Sequence, residues 1–302
     1  MSGGLDLSIR STGIGSSEAG AIIGVSPFAT RLDIYMRKVF GEKPRKETPL
    51  QRWGLLHEAA MHIAYEEDTG LKLVGDGRTT IRHPKHEWML DTVDRITSCR
   101  TRVVDFKTAQ RFTPVDYGQT NWDFQVWDAS LHASRDETDL IPQCHQAQGV
   151  WHMACHDIDN FDLPLLIDGF QWRIFSMERD LEVEGMLIDE VHRFWVDHVL
   201  ARKPPEHEDE DEREEFLKLL YPKHESPTLL ETTPEIDEKV SEFRTAYEQH
   251  KLLEAEVKRT KNDLKDLIGD AAGIAGPWGK IAWTSDKNGV RSFTPRFIKE
   301  TE

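Results

Sequence analysis

The chain has 302 residues, 38% of them hydrophobic and 9% aromatic, enough for one or two domains with packed cores. It holds 38 Lys and Arg against 54 Asp and Glu, a net charge of −16. That excludes a continuous basic shell and, at first sight, argues against nucleic acid as a partner. Cys99, Cys144 and Cys155 form no CxxC pair, which argues against a disulfide framework and fits a reducing cytoplasm. No apolar run approaches the ~18 residues of a membrane span, and residues 1–10 lack a signal-peptide pattern.

In chain order, residues 13–24 read as a turn into a short helix with Ser16 or Ser17 as N-cap. Residues 31–40 form a second helix. Thr48-Pro49 starts a third that runs to about Asp68, with Trp53, Leu56, Ala60 and Ile63 as its apolar stripe. Strand-like segments follow at 71–74, 78–83, 88–91, 94–98 and 102–107. Residues 112–141 are irregular with some helix. A helix at 142–155 precedes a hairpin, 161–167 and 170–176, turned at Asp168-Gly169. A long helix spans 181–200, and Pro204-Pro205 closes the core. Residues 206–215 hold eight acids and one Arg and read as a solvated linker. A coiled-coil-like or simply amphipathic helix spans 235–269, and a hairpin around 279–293 ends the chain. The expected organisation is therefore a domain at 1–205, an acidic linker at 206–233, and a C-terminal helix and hairpin at 234–302.

The charge is uneven. Residues 1–112 carry 17 basic against 14 acidic side chains, 113–198 carry 4 against 17, and 199–302 carry 17 against 23. Only the first third can attract a polyanion unaided, and the strongest chemical constellation lies there. Asp105 and Lys107 end a β-branched run two residues apart, so a strand points both to one side. Asp94 follows another apolar segment. Two carboxylates and an amine on adjacent strands suit a divalent metal: hard oxygens bind Mg²⁺, and the ammonium steadies a hydroxide or phosphate oxygen. The Phe106 backbone carbonyl is a further candidate ligand. Glu58, off the apolar stripe of its helix, is a candidate to add a carboxylate through water. A lone D-x-K is more often a strand-end salt bridge; the ordered set Glu, Asp, Asp-x-Lys within 50 residues favours the site.

Six stretches then carry a resemblance: GIGSSEAGAIIGVSPF (13–28), RWGLLHEAAMHIAYEEDTG (52–70), HPKHEWMLDTVDRI (83–96), VVDFKTA (103–109), PQCHQAQGVWHM (142–153) and GFQWRIF…ERD…FWVDHV (169–199). In this order they resemble the YqaJ-type viral recombinases, phage exonucleases related to lambda exonuclease within the PD-(D/E)xK nuclease superfamily. The resemblance covers about residues 10–205. It implies an α/β (α+β) restriction-endonuclease-like core whose central mixed β-sheet, flanked by helices, carries the site. It also implies a 5′→3′ exonuclease acting on double-stranded DNA ends with two Mg²⁺ ions, which Mn²⁺ can replace. The cofactor-site residues it implies are Glu58, Asp94, Asp105 and Lys107, with Gln148 reaching toward them from a helix. Arg10 and Ser17 match the groups that hold the DNA 5′-phosphate, for which a serine at a helix N-terminus and an arginine are physically apt. A homo-oligomer, plausibly a trimer ring, a single-strand annealing partner and a phage or prophage origin in a bacterial cytoplasm complete the implied setting. Alternatives are a restriction-like endonuclease of the same superfamily and a non-catalytic DNA-end or protein-binding module.

The chain departs from the family at Val93-Asp94-Arg95, where Pro-Asp-Gly is usual, and at Gly149-Val150-Trp151, where an aliphatic run is usual. His152 and His156, four apart on one helix, have a spacing that can chelate zinc, but no second pair is evident and packing is the plainer reading. Trp122, Trp127 and Trp151 could stack on bases, though irregularly spaced tryptophans are more often core.

Overall fold

The computed structural model describes residues 7–41, 48–109, 138–223 and 229–298. The chain divides into two compact units, Met1–Lys223 and His224–Glu302. The first opens with α1 (Leu7–Arg10), β1 (Ile14–Gly15), α2 (Ser16–Ile22), α3 (Arg31–Phe40) and α4 (Pro49–Thr69). Gly15, not a serine, precedes α2; its amide donates to Glu18 Oε2 at 2.7 Å. The strands follow: β2 (Leu73–Val74), β3 (Ile81–Arg82), β4 (Met89–Asp91), β5 (Arg95–Thr97), β6 (Val103–Val104) and β7 (Lys107–Ala109). Then come α5 (Gln143–His156), β8 (Asn160–Ile167), β9 (Gln171–Glu178), α6 (Leu181–Phe194) and a π-helical extension, Trp195–Leu200.

The central sheet is mixed. β8 pairs in parallel with β6 and β7 on one edge and antiparallel with β9 on the other; β5 and β2 extend the sheet beyond β6, both antiparallel. A smaller sheet orders β1, β4 and β3. Trp151, Phe161, Phe175 and Phe194 are fully buried between sheet and helices. Gly149 is what lets α5 lie so close: a Cβ there would stand 2.6 Å from Phe161. Trp151 is core, and its indole donates to the Leu90 carbonyl at 2.9 Å. The departure at 149–151 is therefore a packing solution. Trp122 and Trp127 lie outside the described residues, as does most of the segment expected to be irregular.

Four local readings change. Residues 102–107 are not one strand but two, β6 and β7, with Asp105 and Phe106 between them. The register explains the break: Val104 pairs with Asp162 and Lys107 with Leu165, so Phe106 stands opposite Pro164. A proline has no N–H to give the ladder. On α4, Trp53, Leu56 and Ile63 are exposed; Met61 and Tyr65 face inward instead, on the side that carries Glu58. The acidic stretch at 206–215 enters a helix, α7 (Glu210–Leu220). Asp209 caps it, its side chain accepting from the Glu212 amide at 2.8 Å, and the acids in its first turn suit the helix dipole. Phe216 anchors it edge-on against Tyr35 and Phe40. In the second unit, α8 (Pro234–Ile268) leads into a sheet of three strands rather than a hairpin: β10 (Gly273–Gly276), β11 (Gly279–Ser285) and β12 (Arg291–Phe297). Ile236, Val240, Phe243 and Tyr247 of α8 are exposed, while Ile268 and Ile281 are buried.

One buried carboxylate ties α4 to the sheet. Asp162 accepts from Tyr65 Oη at 2.6 Å, from Arg102 Nη1 at 2.6 Å and from Ser176 Oγ at 2.7 Å. Burial, with the Asp162 charge beside it, pushes the Tyr65 hydroxyl far up. Tyr65→Phe removes one donor from a buried anion, so we expect a loss of about 1–3 kcal/mol, read by urea unfolding with an unchanged m-value. A loss within error of zero would contradict the role given to this contact.

Candidate active site

The break in the ladder builds the centre of the site. β5 and β6 pair antiparallel with Arg95 opposite Val104, so a continued ladder would set Phe106 against Val93. The Phe106 amide instead donates to Asp94 Oδ2 at 2.8 Å. Asp94 is thereby fixed beside Asp105, whose own amide still bonds the Asp162 carbonyl at 3.1 Å. Lys107 Nζ forms an ion pair with Asp105 Oδ2.

Residues from separate elements meet here. Glu58 comes from α4, Asp94 from the β4–β5 turn, Asp105, Phe106 and Lys107 from the β6–β7 break, and Gln148 from α5. Arg10 and Ser17 come from α1 and α2. All eight line one cavity of about 510 Å³. Every site residue read from the sequence is thus brought to one place. Glu18, next to Ser17, is committed elsewhere: besides capping Gly15 it pairs with Lys38 at 2.7 Å.

The electrostatics are those of crowded carboxylates. Burial, then the charges of Asp105 and Glu58, push Asp94 up to about 7. Burial also raises Glu58, with Arg95 opposing. For Asp105 burial works against ionisation, but the Lys107 ammonium and His152 override it and hold the carboxyl below its usual range. Lys107 is desolvated, yet Asp105 and Asp94 keep its ammonium above the usual range. Burial and Lys107 press His145 down to about 4.

Arg78 and Asp91 escaped the sequence reading, while Arg95 and His152 take other roles than the ones it gave them. Arg78 and Arg95 also line the cavity. Arg95 is the residue where the family has Gly; its Nη1 donates to the Asp94 carbonyl at 2.5 Å and its Nε to His62 Nδ1 at 3.2 Å. Its cation is therefore held by the Asp94 backbone and α4. The other two are Asp91 and His152. Asp91 lies at the floor of the cavity, buried, with His152 Nδ1 2.8 Å from Oδ1 and His156 Nε2 3.0 Å from Oδ2. The four-residue spacing that suggested a chelate instead serves one carboxylate. Burial opposes ionisation of Asp91, but the two imidazoles hold it well below the usual range. Burial lowers His152, yet Asp91 raises it above its usual value. Only the apolar context of Trp88–Asp91 hinted that Asp91 is buried.

Among the described residues, no three His, Cys, Asp or Glu side chains form a ready-made metal cage. That absence says nothing of zinc at His152 and His156, whose rings both meet Asp91. It does not count against Mg²⁺, which keeps most of its waters and takes one or two carboxylates plus substrate phosphate. Asp94, Asp105 and the Phe106 carbonyl are such a donor set, with Asp105 Oδ2 buried against the Lys107 ammonium.

The model of the YqaJ-like viral recombinase domain matches residues 7–157. The chain belongs to this family. It is similar to the uncharacterized protein YqaJ of Bacillus subtilis (strain 168), 25% identical over 268 residues, covering 87% of this chain and 77% of that protein. Among solved structures it is similar to the alkaline exonuclease LHK-Exo of Laribacter hongkongensis, with 16% identity and a TM-score of 0.47 over 70% of this chain and 97% of the other. A phage-related exonuclease of Haemophilus somnus 129PT gives 12% identity and a TM-score of 0.41 over 69% and 96%.

The raised Asp94 has a consequence for stability. In the metal-free protein the native state keeps this proton up to about pH 7, whereas the unfolded chain loses it near 3.8. The stabilisation is complete below about pH 4 and is lost as pH rises through 7. Asp94→Asn keeps the acceptor for Phe106 without the charge. It should therefore melt higher than the wild type above pH 7, with the gap closing toward pH 4. A gap independent of pH, measured in EDTA, would contradict the shift.

Proposed function

We propose that this protein is a metal-dependent DNA nuclease that resects linear duplex ends 5′→3′, leaving 3′ single-stranded tails. The observation that carries the reading is the convergence of Glu58, Asp94, Asp105, Lys107 and Gln148 on one cavity. Family membership supports it independently.

The donor set of Asp94, Asp105 and the Phe106 carbonyl fits Mg²⁺, with Glu58 across the cavity reaching through water. When bound, divalent ions supply an activated water and charge stabilisation at the leaving oxygen. The remaining work falls to the chain. The Lys107 ammonium orients the attacking water or a non-bridging phosphate oxygen. The Gln148 amide hydrogen-bonds the same region. Arg78 and Arg95 supply guanidinium groups for the scissile phosphate or its neighbour. Arg10 and Ser17 contact the 5′-phosphate and so select an end. The tails would pass to a single-strand annealing protein, and the enzyme would act as a homo-oligomer. A non-catalytic module would not need an ammonium held against a buried carboxylate in a polar cavity.

We expect Asp105→Ala to lower Mg²⁺-dependent nucleotide release from linear duplex DNA by at least about 100-fold. The fold should persist, because the Ala amide can still bond Asp162. Wild-type protein should degrade 5′-phosphorylated linear duplex faster than 5′-hydroxyl duplex and spare closed circles. Unchanged hydrolysis by Asp105→Ala would remove the assignment, and cleavage of closed circles would mark an endonuclease instead.

A further inference from the structure

The helix of the second unit carries an apolar stripe that its own unit leaves bare. α8 runs 35 residues, and residues 234–260 are all exposed. Phe243 is 70% exposed, Val257 64% and Leu253 60%. Only its last turns meet the three-stranded sheet, where Lys261 lies over Phe293, Lys265 lies over Trp283 and Ile268 is buried. A helix in a protein draws most of its stability from packing its apolar face, and a bare apolar patch of this extent marks an interaction surface.

The spacing of the stripe identifies what covers it. From Ile236 the positions are Val240, Phe243, Tyr247, His250, Leu253, Val257, Thr260 and Leu264. The steps run four, three, four, three, then three, four, three, four. They mirror about His250. Ile236 and Leu264 stand equally far from it, as do Val240 and Thr260, Phe243 and Val257, and Tyr247 and Leu253. The slip in the heptad pattern is thus the centre of a palindrome. In a two-fold symmetric pair, residue i meets j and j meets i. An antiparallel second copy with its dyad at His250 therefore lays the stripe on itself, Phe243 on Val257 and Tyr247 on Leu253. A parallel copy sets each position on its own equivalent and calls for no mirror symmetry. A polar residue at one core position specifies register, and His250 holds that place at the dyad.

The charges choose the same orientation. Residues 234–242 hold four acids and one base, and their mirror segment, 258–266, holds four bases and two acids. An antiparallel copy sets the acidic end against the basic end. A parallel copy sets like charge on like charge at both ends, which costs free energy.

We infer that two copies of this chain associate through α8 as an antiparallel helical pair centred on His250. This pairing does not depend on the reading of the active site.

The test uses the full chain, with mass measured by light scattering on a sizing column. The wild type should contain an even number of copies. Phe243→Glu sets a charge against Val257 of the second copy and should halve the mass, whatever association the first unit adds. Val257→Lys should do the same. An equimolar mixture of the two variants should regain the wild-type mass, because an antiparallel pair sets the two introduced charges against each other. Thr245→Glu, on the opposite face of α8, should keep the wild-type mass. An odd number of copies in the wild type, or a mass unmoved by Phe243→Glu, would overturn the inference. So would a mixture that stays at half mass, which would mark a parallel pair or a different partner on the stripe.

Discussion

A single interruption in the central sheet organises the site. Pro164, in the middle of β8, cannot donate to the strand beside it, and the strand carrying Asp105 breaks opposite it. On the strand's other edge, toward β5, the Phe106 amide donates to the carboxylate of Asp94. A continuous strand would have spent that amide on backbone and left Asp94 unanchored. Interruptions of this sort commonly re-aim side chains where function needs them. Here one brings two acids together, and the price is paid in ladder hydrogen bonds.

Around this break the interior holds more carboxylates than an apolar core tolerates, and each has its own neutralising partners. Asp162 has Tyr65, Arg102 and Ser176; Asp91 has two imidazoles; Asp105 has Lys107. Asp94, met among the described residues by the Phe106 amide and a share of the Lys107 charge, still keeps its proton to about pH 7. It is the group whose burden a cation would relieve most. The same arrangement explains how a protein with a net charge of −16 suits a polyanion. The surplus acids lie chiefly after residue 112, while in the cavity Arg10, Arg78, Arg95 and Lys107 stand with Glu58, Asp76, Asp91, Asp94 and Asp105, a balance that bound cations would turn positive. Net charge describes the exterior.

Much of the fold was legible because long, strongly patterned segments dominate it. The helices at 31–40, 142–155 and 181–200 and the hairpin at Asp168-Gly169 follow from periodicity and turn chemistry, and the ordered acids pointed to the site. The failures have physical causes. On α4 the most hydrophobic stripe is exposed, and burial went to the face bearing Met61 and Tyr65, because Tyr65 answers a buried Asp162 that no periodicity reveals. The break at Asp105 depends on a proline some sixty residues later in the chain. Asp91 and His152 found each other across sixty-one residues, so the histidine pair looked like a chelate when read alone. The acidic run at 206–215 is solvated as read, yet Asp209 caps it into a helix whose packing one aromatic, Phe216, carries. Short-range patterns show elements; partners of buried charges are long-range and escape them.

The site depends on Asp94, Asp105 and the Phe106 carbonyl holding a divalent cation. Anomalous diffraction from crystals soaked in Mn²⁺ tests it most directly. A peak is expected within coordinating distance of both carboxylates and that carbonyl, and none in Asp105→Ala crystals. A Mn²⁺ peak elsewhere in the cavity, or one that survives the loss of Asp105, would contradict it.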